Sequence, residues 1–526
     1  MSSTYDVVIA GGGHNGLLAG AYLAKAGLSV CVLEKQPWVG GGAVTRELTV
    51  PGFKHDECSV GHMLVQPNPL IANDELKLLS KYGLKYLYPD TATTVLFPDD
   101  SSIAFYSDLD KTCEGIAKIS ERDAEAYRKF SAFVDQAYDF LTMGMFNPPG
   151  PFGATAAILD ESDFGREILR ALTISQMDVC DNWFESEEMR IACSRVTSEG
   201  MISPQTKGTG IVMFWYFAVV HKYGLCVPEG GSGQISESLR RCLEDMGGIV
   251  KTSSGIKSFK ISGGECSGVV LEDGEEILAK KAVISSLNIK QLPGLVGAEN
   301  LSEDYTTKID RTELSEYYPF HIEVALNEAP KFKADMDEVA SAFVELCPKN
   351  RYEYLKTFDD LKLGIPTSKI PLLVVPTAFD KTRAPEGKHC LYDYNYAPYA
   401  LKDGGPEKWD EIKDQFIQES LATIRAQTTN MGEENILGIW ARSPLDLERH
   451  NPSYPRGDFM HIGTFLHQTM GNRPVPRWNY KTPITKLYMC GASTHPGPGV
   501  NGAARAAMPV IMEDLGLDFE KVVSQG

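Results

Sequence analysis

The sequence predicts a two-domain α/β protein in which one domain is interrupted by the other. Three observations predict it. The chain has 526 residues, more than one hydrophobic core usually supports. It opens with a strand, a glycine turn, a helix and a second strand. Glycine-rich turns followed by helical patterns then return in the middle of the chain and close to its end.

The opening unit is "YDVVIAGGGHNGLLAGAYLAKAGLSVCVLEK". Asp6 to Ala10 is an apolar run suited to a buried parallel strand. Gly11, Gly13 and Gly16 follow as G-x-G-x-x-G. Leu17 to Ala26 repeats apolar and small residues at helical spacing, and Gly27 stops it. Leu28 to Leu33 is a second strand, ending on Glu34. Gly11 makes the tight turn, Gly13 lets the backbone approach a pyrophosphate, and Gly16 lets the helix lie close to the strand. The helix N-terminus offers N–H groups to phosphate, and Glu34 is placed to accept from ribose hydroxyls. The order of elements identifies a Rossmann-like dinucleotide-binding unit, with a structural glycine turn as the bland alternative.

A second glycine cluster follows in "GGGAVTRELTVPGFKHD". Gly40, Gly41 and Gly42, with Thr45 and Arg46 behind them, can bring further N–H groups to phosphate. A single βαβ unit for NAD has no need of it. The middle segment "VPEGGSGQISESLRRCLEDMGGIVKTSSGIKSFK" reads as glycine turn, helix (Ile235 to Met246), strand and strand, the last carrying Ile256. It lacks a complete G-x-G-x-x-G, so a second, NAD(P)H site is the weaker reading. Near the end, "KLYMCGASTHPGPGVNGAARAA" reads as a strand (Leu487 to Cys490), a glycine-lined loop and a helix of small residues. Small residues serve where a backbone must come close to something else.

These motifs resemble those of the amine-oxidase and glutathione-reductase-like flavoproteins. The chain is most similar to the phytoene desaturase and carotenoid isomerase-like members, in the branch of the pyridine nucleotide-disulphide oxidoreductase domain-containing proteins. "RGDFMHIGTFLHQTMGNRPVPRWNYKTPITKLYMCGASTHPG" carries much of that resemblance. There Gly457, His461, Gln468, Arg473, Pro474, Val475, Pro476, Tyr480 and Pro483 match the branch. Asp458 stands where Asn is usual and His467 where Asp is usual, which puts the substrate in doubt more than the cofactor. The resemblance implies FAD as cofactor, a glutathione-reductase-like FAD-binding domain and an inserted mixed α/β substrate domain. Gly491, Val500 and Asn501 would then lie along the flavin, with backbone N–H groups of the last two facing its ring. The strand of Ile256 would pass under the adenine.

The expected FAD-binding domain comprises 1–105, 226–290 and 480–526, and the substrate domain 106–225 and 291–479. The latter should contain helices at Glu121 to Met143 and Trp409 to Gln427. Loops rich in Pro and aromatics, "MFNPPGPF" and "LYDYNYAPYA", should form a roof over the flavin. The apolar run "IVMFWYFAVV" (Ile211 to Val220) is too short to cross a bilayer and reads as a buried helix or strand, or as the lining of a ligand tunnel.

The implied activity is that of an FAD-dependent oxidoreductase: dehydrogenation of a small apolar or conjugated substrate by hydride transfer to the flavin, with oxygen or a quinone as electron acceptor. Redox-neutral isomerisation of conjugated double bonds and amine or alcohol oxidation are the alternatives. A binder of the Rab escort type, which shares the fold without using flavin, is disfavoured by the intact glycine motifs. Histidine suits proton transfer near neutral pH, so His62, His467, His461 and His495 are the candidate catalytic residues. Packing or hydrogen bonding is the bland role for each. Arg473 and Arg456 are candidate substrate anchors.

The totals exclude other classes. Hydrophobic residues make up 43% and charged residues 23%, an ordinary globular balance. The net charge of −19 argues against nucleic acid as a partner and gives no polybasic route to a membrane. A peripheral contact with lipid would have to come from the substrate, and a homodimer is the default assembly. The 11 cysteines include no C-x-x-C pair, which reads as reduced thiols and no metal site. A strand begins too early for a signal peptide, so a cytoplasmic location is expected.

Overall fold

Val7, Val8, Ile9 and Ala10 are fully buried, as a strand covered on both faces requires. In the computed structural model, which describes residues 3–336 and 342–524, they end the strand Ser3–Ala10. That strand pairs in parallel with Val30–Leu33 on one side and Glu276–Ser285 on the other. Ile249–Lys251 extends the parallel order beyond Val30–Leu33. Glu276–Ser285 has two further neighbours. Its first residues pair antiparallel with Glu265–Leu271, which pairs in turn with Ile256–Ser262. Its last residues pair in parallel with Leu487–Met489. Thus segments far apart in the chain complete one seven-stranded sheet.

One face of this sheet is covered by the helix His14–Lys25, which lies between Gly233–Asp245 and Ala503–Asp514. The first of these helices starts ahead of the expected Leu17. Gly13, extended at φ −66° and ψ 164°, is its N-cap, and Gly16 lies in its first turn. Ala503, Ala504, Ala506 and Ala507 have no exposed surface. The small side chains of Ala504, Ala506 and Ala507 pack this helix closely in the core shared with His14–Lys25.

A second seven-stranded sheet runs in the order Ile436–Arg442, Tyr318–Leu326, His389–Ala397, Leu372–Val374, Phe343–Leu346, Thr91–Leu96, Ser102–Tyr106. Its pairs are antiparallel except that Phe343–Leu346 runs parallel to Thr91–Leu96. Two expectations differ here. The segment "LYDYNYAPYA" is mostly a buried strand, where a roof loop was expected. Tyr392, Tyr394 and Tyr396 alternate with Leu391, Asp393 and Asn395, so the aromatics stand on one face and the polar pair on the other. In addition, Thr91–Leu96 and Ser102–Tyr106 pair into this second sheet, although the expected first cofactor segment ran to 105.

The expected helices are present. Helices occupy Glu121–Met143 and Trp409–Gln427, and Ile211–Tyr223 is a helix. The cysteines are unpaired among the described residues. No helix among them is long and apolar enough to cross a membrane.

Candidate functional site

The two glycine clusters form one cradle. Gly11, at φ +97°, turns the chain at the end of the first strand, and its N–H donates to the Leu33 carbonyl at 2.9 Å. The Gly40 N–H donates to the Gly12 carbonyl at 2.9 Å, so the second cluster is stitched to the first. Gly16 is a packing glycine: a Cβ there would sit 2.0 Å from the Gly11 carbonyl oxygen. Gly13 differs, since a Cβ there would meet nothing closer than 3.7 Å. Its missing side chain leaves open room at the cavity wall.

That cavity, of about 540 Å³, runs from the cradle to the second sheet. Leu33, Glu34, Ser254, Ile256 and Glu272 line one end. Gly11, Gly13, His14, Gly41 and Gly42 line its middle, with Ala492, Gly499 and Val500 from the late segment. The end against the second sheet is walled by Phe343, Leu372, Val374, Tyr392, Tyr394 and Phe459. Glu34 accepts from the backbone N–H of Gly12 at 2.9 Å and of Gln36 at 2.8 Å. Burial raises its pKa, and those N–H groups work against the rise.

The remaining expected cofactor residues support the wall from behind. Thr45 Oγ1 donates to Asp56 at 2.6 Å and accepts from the Gly233 N–H at 2.9 Å, tying the second cluster to the middle segment. Arg46 pairs with Glu57 at 2.7 Å and lies 3.6 Å over the Trp38 ring. Trp38 and Glu57, in contrast to Thr45 and Arg46, reach the cavity. Gly491, at φ +100°, passes against Asn15, whose Cβ would be 3.3 Å from a Cβ at Gly491. Asn501 is buried beside the lining residue Val500, and its backbone carbonyl accepts from Asn68 at 2.8 Å.

The histidines separate clearly. His461 lines the cavity, with Nδ1 3.2 Å from Ser493 Oγ. Burial, with Arg473 and His14 nearby, lowers its pKa to about 3. It is therefore neutral at pH 7 and a poor holder of a proton. His62 does not line the cavity; its ring nitrogens lie 3.1 Å from the Tyr86 hydroxyl and 2.9 Å from Ser232 Oγ. His495 is likewise outside the lining, its Nε2 2.7 Å from the Gly144 carbonyl. His467 is a surface residue, 59% exposed, paired with Glu313 at 3.2 Å and stacked on Phe465.

Neither candidate arginine lines the cavity. Arg473 is buried and donates to the carbonyls of Ala492, Gly463, Met460 and Ile462, which fastens the late loop to the preceding segment. Arg456 is exposed. The histidine that sequence reasoning missed is His14, inside the first glycine motif. It lines the cavity, its Nδ1 is buried without a well-formed hydrogen bond, and burial lowers its pKa to about 4. Also missed were Glu199 and Glu345, which line the end against the second sheet and come from segments with no local motif.

The arrangement fits a dinucleotide cofactor. Side-chain-free backbone faces the middle of the cavity, an acid closes one end, and the buried His14 ring nitrogen without a well-formed hydrogen bond stands beside them. The family described as NAD(P)-binding Rossmann-like domain matches residues 9–71. Three relatives align along nearly the whole chain. Pyridine nucleotide-disulfide oxidoreductase domain-containing protein 2 of Rattus norvegicus is 28% identical over 97% of this chain and 94% of its own. One of the subunits of limonene dehydrogenase from Castellaniella defragrans is 26% identical over 98% and 95%. Lycopene-forming phytoene desaturase of Pantoea ananas is 24% identical over 96% and 99%. Among solved structures, an oxidoreductase from Methanosarcina mazei shares the fold with a TM-score of 0.61 at 18% identity, covering 96% of this chain and 99% of that one.

Fold, cradle and these likenesses define the class: an FAD-dependent oxidoreductase built on a Rossmann-like sheet. Within that class the chain resembles the phytoene desaturase-like flavoproteins, and it does so along nearly its whole length.

Proposed function

We propose that the protein desaturates a small apolar or conjugated organic molecule, and that oxygen or a quinone takes the electrons. The observation that carries this reading is the continuity of the cavity. One space joins the glycine cradle to a chamber walled by Phe343, Leu372, Val374, Tyr392, Tyr394 and Phe459. A relative named limonene dehydrogenase and another named phytoene desaturase support a hydrocarbon-like substrate.

FAD, when bound, supplies a hydride acceptor. Gly11, Gly13 and Gly40 to Gly42 would hold its pyrophosphate, Glu34 its ribose, and Val500 with Asn501 its ring. The chamber residues do the rest. Their apolar surfaces bind the substrate and exclude water, which strengthens every electrostatic contact inside. Tyr392 and Tyr394, stacked with ring centroids 6.0 Å apart, form a flat wall that orients a planar or conjugated substrate. We assign the segments around 1–90, 226–290 and 480–526 to the cofactor domain, because the strands from Thr91 to Tyr106 pair into the second sheet.

Absorption spectroscopy of the purified protein tests this. Flavin bands should bleach anaerobically with one compound from a panel of saturated and conjugated hydrocarbons, and return in air. Bands that never bleach, while a pre-reduced sample rearranges a polyene, would replace desaturation with isomerisation. Bleaching by amines or alcohols alone would replace the substrate class.

A further inference from the structure

Desaturation takes two hydrogens from neighbouring carbons, and one of them leaves as a proton. If the protein is a desaturase, on which the assignment that follows rests, that proton needs an acceptor in the chamber. One cluster of opposed charges stands at the chamber end of the cavity. Glu345, on Phe343–Leu346, and Glu199, in the turn after the helix Glu187–Thr197, both line it.

Arg195 lies behind them with its side chain fully buried. Its Nη1 is 2.8 Å from Glu345 Oε2 and donates to Glu199 Oε1 at 2.7 Å. The same nitrogen donates to the Tyr396 hydroxyl at 2.8 Å, which donates to Glu199 Oε1 at 2.7 Å. Glu199 thus receives two short bonds at one oxygen. Glu345 is held loosely. Its Oε1 receives one long bond, 3.3 Å, from the Thr93 hydroxyl, and its Oε2 has no hydrogen bond of good geometry despite the nearness of Arg195. Two acids around one guanidinium leave the less-bonded acid with lone pairs to spare.

We propose that Glu345 is the proton acceptor of the reaction. One substrate C–H bond breaks, its electron pair becomes the new C=C bond, and its proton passes to Glu345. The hydrogen on the adjacent carbon leaves with its pair as hydride to the flavin. Glu199 and Arg195 are positioning residues that set the charge around Glu345.

The environment suits that task. Arg195 and Glu199 face Glu345 from the helix and its turn, Tyr216 from Ile211–Tyr223, Tyr396 from His389–Ala397, Thr93 from the neighbouring strand and Cys347 from its own segment. Burial raises the Glu345 pKa to about 7, with Arg195 opposing the rise and Glu199 adding to it. A base poised there can take a proton and release it near neutral pH.

Difference infrared spectra of the flavin-loaded protein between pH 5 and pH 9 test the assignment without turnover. Of the protonated-carboxyl signal that titrates near neutrality, to which buried Asp393 also contributes, the Glu345 component should vanish in Glu345→Gln. No such component in the wild type would overturn the proposal. With a substrate that bleaches the flavin, Glu345→Gln should slow bleaching by roughly 10²–10⁴-fold, and the rise of rate with pH should disappear while the flavin spectrum stays unchanged. Wild-type bleaching with the same pH profile would also overturn it. Should Glu345→Gln fail to fold, Thr93→Val serves instead. Losing its bond to the charged form should move the titration upward, and an unmoved midpoint counts against Glu345. If no compound bleaches the wild-type flavin, the dehydrogenase reading fails, and the infrared band still decides whether Glu345 titrates.

Discussion

Gly13 and Gly16 belong to one motif, yet the structure gives them separable consequences. An alanine methyl at Gly16 would lie 2.0 Å from the Gly11 carbonyl oxygen, a backbone atom that cannot swing away. The helix would have to lift from the strand, and overpacking of this kind costs about 1–3 kcal/mol or more. At Gly13 the same methyl meets nothing within 3.7 Å, and the backbone is already extended at φ −66° and ψ 164°. Gly13→Ala should therefore leave apoprotein stability within about 1 kcal/mol of wild type, because the backbone conformation is allowed to alanine. Its methyl enters the space through which a pyrophosphate would approach. Excluding it should cost FAD binding about 1–3 kcal/mol, a rise in Kd of roughly 5- to 150-fold. Titration of apoprotein with FAD, followed by flavin fluorescence quenching, reads the second number, and urea unfolding of apoprotein reads the first. If Gly13→Ala bound FAD as tightly as wild type, the pyrophosphate would not pass Gly13. If Gly16→Ala were as stable as Gly13→Ala, the packing argument would fail.

Glu75→Gln should destabilise the protein by about 3–5 kcal/mol in urea unfolding. It leaves Arg505, bonded to both carboxylate oxygens at 2.9 and 2.7 Å, without its buried counter-charge. The buried histidines make their own contribution to the pH dependence of stability. Burial lowers His14 to about 4 and His55 and His62 to about 3, so below pH 6.5 the unfolded state binds more protons there. Each such histidine then takes roughly 1.4 kcal/mol per unit from stability as pH drops, while Glu345 and Asp393, raised by burial to about 7, take up protons in the folded state and act the other way. In unfolding at pH 7, 6 and 5, His62→Gln should lose less stability on acidification than wild type, by up to that one histidine's share. His467→Ala, on an exposed ion pair, should keep the rate of flavin bleaching within about twofold and change stability by no more than about 1 kcal/mol.

Local pattern made the cofactor half of the molecule readable. The glycine motif announces its turn, its helix and the acid at Glu34 because each depends on neighbours in sequence. The cavity lining includes Gly11, Gly13, Glu34, Ile256 and Val500. The chamber was much less legible. Thr93, Glu199, Glu345 and Tyr392 meet only through pairing between distant strands and the packing of a helix and its turn against them, and no spacing rule records that. The histidines show the same limit from the other side. His62, next to a glycine in a promising segment, finds both partners, Tyr86 and Ser232, far along the chain. The strand of Tyr392, Tyr394 and Tyr396 did carry a signal, the alternation of aromatic and other residues, which the nearby prolines masked.

The stitching of the late segment to the early one has a consequence for synthesis. Asn15 Oδ1 accepts from the N–H of Ala504, Asn68 donates to the carbonyl of Asn501, and Glu75 holds Arg505. A ribosome delivers the early partners long before the late ones, at about 5–20 residues per second. Until the late segment emerges, the first glycine turn stands in a sheet lacking Leu487–Met489 and under a helix not yet made. A nascent chain is therefore without the finished site, and cofactor capture becomes one of the last events of its maturation. Chains cut short before Arg505 would leave Glu75, still bonded to the Tyr22 hydroxyl, without its counter-charge inside a forming core.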